Sequence, residues 1–339
     1  MNSWVKVPLL IALFPALVVA NSQSPLQHVD WLLYQGMVEK AQKVLNDVDT
    51  TKSNELEVNL LKVRIDLASN ELDEAADNLE HLIEQHPKQA ELYYWQGRVN
   101  AAQAQQASIF SAAGYAKASK KGFQMAVELD PQNIQSQRGL MQFYLQAPAI
   151  VGGSAKKAKE VAATIMKIDK LHGTMAQLSI AQRDEDEQAI ADLLKQLETK
   201  FSSSPTALYT VGIHYQQEKQ FDKAFKLFSQ ASALKETDRY QQESLRKFEE
   251  SKLSALYQIG RNGVFSELNI AEGIEALNLY VQAEIPNHLP SKDWAQFRLS
   301  KLYQLNDQAA LAKPILLALK AETKDDDLAK QVKKELKSL

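Results

Sequence analysis

Residues Leu208 to Ala231 read LYTVGIHYQQEKQFDKAFKLFSQA. Small residues at Gly212, Ala224 and Ala231 stand among large ones at Tyr215, Phe221 and Phe228. The spacing predicts two helices, one from about Thr206 to Glu218 and one from about Phe221 to Leu234. On the first, Leu208, Val211, Gly212 and Tyr215 share a face; on the second, Ala224, Phe228 and Ala231 do so. Small side chains let two helix axes approach, and the aromatics beside them fill the space, as an antiparallel pair requires.

The arrangement recurs along the chain. Ser300, Tyr303, Ala312, Leu316 and Leu319 repeat the offsets of Gly212, Tyr215, Ala224, Phe228 and Ala231. Ala75, Leu79, Leu82 and Pro87 repeat the second-helix half, as do Ala41, Leu45 and Val48, and Ala41 lies 34 residues before Ala75. Further units are partial: Tyr93 and Gly97 with Phe123, Ala126 and Pro131; Gly139 with Ala158; Ala189 with Leu193; and Ile259 and Gly260 with Gly273, Leu277 and Tyr280. Anchored on Ala41, Ala75, Ser119, Ala158, Ala189, Ala224, Gly273 and Ala312, these make about eight units, and a period near 34 residues is that of a helical solenoid.

In these residues the chain resembles the tetratricopeptide repeat family, whose first helix carries a large residue, then Leu-Gly, then Tyr, and whose second carries Ala, Phe, Ala and Pro. Leu208, Val211, Gly212, Tyr215, Ala224, Phe228 and Ala231 match that pattern, while Ser119 replaces an alanine and no closing proline stands near Asp169. The segments YYWQGR, FYLQAP and GGSAKKA together resemble a group of exported bacterial repeat proteins. The resemblance implies an all-α fold, a right-handed superhelical solenoid of about eight antiparallel helix pairs closed by a C-terminal capping helix. Two departures lengthen the period. AAQAQQASIFSAAGYAKA has helix formers and little turn chemistry, which predicts longer helices. In QAPAIVGGSAKKA, Pro148 ends a helix, Gly152 and Gly153 form a loop and Ser154 caps the next helix.

The two ends read differently from the middle. MNSWVKVPLLIALFPALVVANSQS has one cation, Lys6, an apolar run from Val7 to Ala20, and Val18 and Ala20 placed as before a signal-peptidase cut. As a helix that run spans about 21 Å, short of a hydrocarbon core of roughly 30 Å. Residues 1–20 therefore read as a signal peptide, 21–24 as a short polar segment, 25–319 as repeats and 320–339 as a capping helix carrying Leu328, Val332 and Leu336 on one face. This implies a periplasmic or secreted protein with no stable membrane insertion after cleavage; an uncleaved N-terminus would make it a tethered envelope scaffold instead. The absence of cysteine removes disulfides and suits an oxidising compartment.

Chemistry-bearing motifs are sparse. The six histidines are scattered, so no metal site is read, and no cofactor. AIVGGS lacks the Lys-Ser/Thr of a phosphate loop, Ser154 lacks a nucleophile-elbow context, and the acids of RDEDEQ, Arg183 to Gln188, sit where a helix N-terminus favours them. Formal charge is -3 and no run of cations suggests nucleic acid. The reading is a non-catalytic scaffold that binds a protein or peptide; an enzyme with an unrecognised groove site is the rival, and a folded cluster of perturbed acids with histidine would support it. The family resemblance implies that the first helix of each unit lines a concave groove, where the residues after the large residue and after the glycine point inward. Those positions hold Tyr94 and Arg98, Tyr209 and Ile213, Tyr257 and Arg261, and Phe297 and Lys301. Aromatic and cationic side chains are common hot spots, although tyrosines also serve as filler between neighbouring helices.

Overall fold

The structure is a computed structural model that describes residues 24–51, 54–241 and 243–338. The expected signal peptide, residues 1–20, lies outside the described residues. Among those described there are helices and no strands. In chain order they are α1 (Pro25–Tyr34), α2 (Val38–Asn46), α3 (Glu55–Ala68), α4 (Leu72–Gln85), α5 (Ala90–Gln106) and α6 (Ile109–Leu129). Then come α7 (Ile134–Gln146), α8 (Ala155–Ile168), α9 (Lys170–Arg183), α10 (Glu187–Lys200), α11 (Pro205–Gln217) and α12 (Phe221–Ala233). The last five are α13 (Leu245–Ser266), α14 (Ile270–Gln282), α15 (Lys292–Leu305), α16 (Ala309–Glu322) and α17 (Asp326–Glu335). The two helices expected in the opening stretch are α11 and α12, each within a residue of its expected ends.

The seam inside each pair explains the small residues. A Cβ on Gly212 of α11 would lie 2.5 Å from Phe228 of α12; one on Gly97 of α5, 2.7 Å from Phe123 of α6; and one on Gly260 of α13, 2.2 Å from Leu277 of α14. In three units, then, a glycine on the odd helix receives the large residue of the even one, and no side chain could occupy the same space. The sequence anchors fall one each on α2, α4, α6, α8, α10, α12, α14 and α16. Most are sealed: Ala41, Ala75, Ala158, Ala224 and Ala312 have no exposed surface. Ser119, the polar exception, is buried because its hydroxyl donates to the Gly97 carbonyl at 2.8 Å, which satisfies it inside the α5–α6 seam.

The irregular stretches resolve by local chemistry. AAQAQQASIFSAAGYAKA extends α5 to 17 residues and α6 to 21, breaking only at Ala107 and Ser108. Gly152 takes φ +104°, and Ser154 accepts a hydrogen bond from the Lys157 amide at 3.3 Å, capping α8. Asp186 caps α10 by accepting from the Ala189 amide at 3.0 Å. The cap begins later than residue 320, since Lys320 to Glu322 complete α16 and Asp325 starts α17 by accepting from the Asp327 and Leu328 amides. Leu328 and Val332 of α17 bury against Phe297, Leu316 and Leu319, covering the apolar end of the array.

Odd helices touch the next odd helix from α1 through α9 and again from α11 through α15, whereas even helices make no comparable contact with one another among the described residues. The side on which helices crowd is the inner side of the curve, so odd helices line it. Curvature carries far enough for α1 to meet α13, twelve helices further along. Asp30 of α1 accepts from Arg64 of α3 at 2.5 Å and from Arg246 of α13 at 2.8 Å. Tyr34 donates to Glu250 of α13 at 2.8 Å, and its ring lies under Arg246 and beside His288. Asn287, between α14 and α15, donates its amide to the Gln35 carbonyl at 3.1 Å and its side-chain NH₂ to the Gly36 carbonyl at 3.0 Å. The inner face is closed by this polar latch.

Candidate protein-binding face

The inner face has two built regions, joined by α13, whose 22 residues make it the longest described helix. Near its start, Asp30, Glu57, Arg64, Glu91 and Arg246 line a polar cleft of about 560 Å³ beside the latch. Burial pushes the Asp30 carboxyl up, but hydrogen bonds and charge from Arg246 and Arg64 outweigh it and hold the group below its ordinary value. Glu250 is likewise driven up by burial and brought down on balance by Lys247 and Tyr34. The Tyr34 hydroxyl is held above its ordinary range by burial and by its hydrogen bond to the Glu250 carboxylate.

Further along α13 lies an aromatic and cationic region shared with α11 and α15. Arg261 donates to Gln216 of α11 at 2.9 Å and to Gln258 at 3.4 Å, and its guanidinium lies 5.0 Å from the Phe265 ring centre. Arg298 of α15 donates from Nε to the Tyr257 hydroxyl at 2.8 Å, and its guanidinium lies over the Phe265 ring at 5.7 Å. Phe265 itself is 51% exposed, an aromatic partly open to solvent with two cations over its ring. Burial, then the neighbouring Arg298 charge, lowers the Arg261 pKa from its ordinary value. Burial raises that of Tyr209, partly offset by its hydrogen bond to Gln258.

Of the residues read from the sequence, Tyr209, Ile213, Tyr257 and Arg261 come together here. Ile213 is half-buried, Tyr209 packs 6.0 Å from Phe228, and Tyr257 is buried 5.3 Å from Tyr280. Tyr94 and Arg98 form a separate group: Tyr94 packs against Trp95 and Phe123, and Trp95 lies between Arg98 at 4.9 Å and Arg64 at 5.1 Å. Phe297 and Lys301 are held by the cap, the ring buried under α17 and the ammonium paired with Glu335 at 2.8 Å. Sequence offsets missed Phe265 and Arg298. Each sits one helical turn from a residue that was found, Phe265 after Arg261 and Arg298 before Lys301, so the neighbouring turn on the same helix face was the available signal.

A cluster of acid and histidine does exist where α9, α11 and α13 begin. Asp169 accepts from the His172 amide at 2.6 Å and contacts its Nδ1 at 2.8 Å; Ser204 caps α11 through the Ala207 amide; and the buried Glu243 accepts from Thr206. Burial raises the Glu243 pKa, with hydrogen bonds from Thr206 and Ser204 opposing it. Asp169, Ser204 and Glu243 are each at most 3% exposed. Asp169 and Ser204 cap α9 and α11, while Asp169 Oδ2 and Glu243 Oε2 are buried without a hydrogen-bond partner. Among the described residues, no group of three or more metal-ligating side chains converges, and no helix is long and apolar enough to cross a membrane.

No family profile and no curated protein matches the sequence. Solved structures are similar in fold. The yeast Tom70 structure aligns over 86% of this chain and 65% of its own, at 13% identity and TM-score 0.49. A chain of the APC/C hetero-tetramer Cut9-Hcn1 aligns over 92% and 55%, at 15% and 0.48. TTC0263, a thermophilic TPR protein of Thermus thermophilus, aligns over 68% and 97%, at 14% and 0.40. This chain thus spans less than two thirds of the first two. By its own glycine seams, alternating helix pairs and capped end, the chain is an all-α helical solenoid resembling the tetratricopeptide repeat proteins.

Proposed function

We propose that the chain is a non-catalytic scaffold of the bacterial cell envelope that holds a protein or peptide segment along the α11–α13–α15 part of its inner face. The observation that supports it is Phe265, half-exposed with Arg261 and Arg298 over its ring. Such a triad offers apolar area and two donors to a segment carrying carboxylates beside an apolar side chain. Partners captured by crosslinking in the native envelope and identified by mass spectrometry supply the ligand for the binding test. Phe265→Ala then weakens binding about tenfold or more, as truncation of a central aromatic does. Arg261→Glu acts mainly on association rate and salt dependence. Tyr257→Ala and Phe297→Ala instead lower the melting temperature, because both rings are buried. Unchanged affinity in both folded variants, Phe265→Ala and Arg261→Glu, overturns the assignment.

The envelope location rests on the N-terminal sequence. The expected mature protein begins at Asn21, and intact mass of the exported form checks it. Retention of Met1 to Ala20 in a membrane fraction after high-salt washing favours the tethered scaffold.

A further inference from the structure

The chain carries no run of cations, yet the fold gathers them. From Leu92 to Val127 and from Pro131 to Lys159 there is no Asp or Glu, in a chain whose overall charge is -3. Lys117, Lys120 and Lys121 of α6 and Lys156 and Lys157 of α8 belong to those stretches. None of the five has an ion pair among the described residues, whereas Lys159 is paired with Asp184 at 2.8 Å. The turn before α8 meets α6, where a Cβ on Gly152 would lie against the Lys120 ammonium, and the Lys157 ammonium lies over the Tyr144 ring at 5.5 Å.

Along the same helix and turn lie the three most exposed large apolar side chains among the described residues. Phe110 is 98% exposed, Ile109 91% and Ile150 86%. Ile109 and Phe110 open α6, which with 21 residues outruns α8 by seven, about 10 Å of helix. Nothing lies within 4 Å of a Cβ built on Gly114, so that face of the helix is open, while Ala112, Tyr115 and Ala116 are half-buried. Helical periodicity puts Ile109 and Lys120 on one stripe and Phe110, Lys117 and Lys121 on the next. Ile150 lies in the turn packed against the first stripe. Exposed apolar residues at the start of α6 and beside Lys120, lysines along the same two stripes and no acid among them match a surface that is anionic outside and apolar beneath. A phosphate polymer would match the lysines and leave Ile109, Phe110 and Ile150 without a use.

We propose that the start of α6 and the adjoining Pro148–Ser154 turn form a peripheral docking surface for an anionic lipid bilayer. Ile109, Phe110 and Ile150 enter the boundary between headgroups and acyl chains, and the five lysines face lipid phosphates. Because the native chain has no cysteine, Phe110→Cys in the full chain takes one environment-sensitive fluorophore, and Glu272→Cys, exposed on α14, gives a control. With vesicles of phosphatidylglycerol in phosphatidylcholine, the probe at 110 brightens and shifts to the blue while the probe at 272 stays silent. Phosphatidylcholine alone gives no response. In the Phe110→Cys chain, replacing Lys117, Lys120 and Lys121 with Gln raises the half-saturating lipid concentration by about fivefold per lysine. A silent probe at 110, an equal response on neutral vesicles, or equal responses at 110 and 272 overturns the proposal. So does salt-sensitive binding of a single-stranded oligonucleotide through these lysines with no vesicle response.

Discussion

Phe228→Ala lowers the free energy of unfolding by about 3 to 5 kcal/mol, the cost of a large aromatic removed from a sealed core. Phe228 has no exposed surface, and its ring fills the space left by Gly212 while packing 6.0 Å from Tyr209. Collapse is opposed on both sides, because Ala224 and Ala231 of the same helix are also fully buried and cannot move inward. Urea unfolding followed by circular dichroism measures the loss, with the slope checked, since a weakened unit can split a repeat array into separately melting parts. The seam makes a second, sharper statement. Gly212→Ala alone is destabilising, because its methyl would sit 2.5 Å from the Phe228 ring. In the Phe228→Ala background the same methyl enters the void, so the two changes couple by about 0.5 to 3 kcal/mol. Simple additivity would show that the glycine and the ring do not share one space.

Arg246→Glu opens the ring. The substitution replaces the cation that pairs with Asp30 at 2.8 Å and covers the Tyr34 ring at 4.5 Å with a carboxylate facing Asp30. What remains between α1 and α13 is the Tyr34–Glu250 hydrogen bond and the His288 contact, with Asn287 holding Gln35 and Gly36 nearby. These contacts are polar and partly solvated, so each is worth little alone. Loss of one attraction and gain of one repulsion shifts the closed-to-open ratio at least about tenfold, equivalent to roughly 1.4 kcal/mol. Small-angle scattering reads this as a larger radius of gyration, while helix content is unchanged because the seams within pairs are untouched. An unaltered radius would mean that the path of the odd helices, and not the latch, sets the closure.

Acid acts in the same direction. Asp30 and Glu250 are held below their ordinary values of 3.8 and 4.5. A depressed carboxyl contributes stability that is fully present above its unfolded value and is lost as pH falls through its folded value. The latch is therefore intact at neutral pH and weakens only below about pH 4, as these two groups take up protons in turn. Arg64, Arg246, Lys247 and His288, which face them, are left without their counter-charge. Scattering of the unmodified protein across that window gives the same expansion as Arg246→Glu, provided helix content persists.

Much of this was legible in the residues themselves. A helix pair is a local object: Gly212 and Phe228 are sixteen positions apart, and their sizes alone state that they meet. The same holds for Gly97 with Phe123 and Gly260 with Leu277, for Ser154 as a cap and the acids of Arg183 to Gln188 at a helix start, and for Leu328 and Val332 as the face of a terminal cover. Small-to-large complementarity, 3.6-residue periodicity and capping chemistry act over one or two turns, so the order of residues was sufficient to read them. Individual groove positions were less legible. Offsets found Tyr209, Tyr257 and Arg261, but they could not separate a buried ring such as Tyr257 from an open one such as Phe265, because exposure depends on the neighbouring unit.

The sequence by itself therefore determined an all-α array of paired helices, its seams and its capped end. Tertiary structure alone decided that Tyr34 meets Glu250 across 216 positions and that Asn287 reaches Gly36 across 251. It also decided that Lys120 of α6 meets the Gly152 turn that leads into the lysines of α8. The physical reason is accumulation. Each unit turns slightly relative to the last, no single motif encodes the sum, and only the completed curve brings α1 to α13 and closes the inner face.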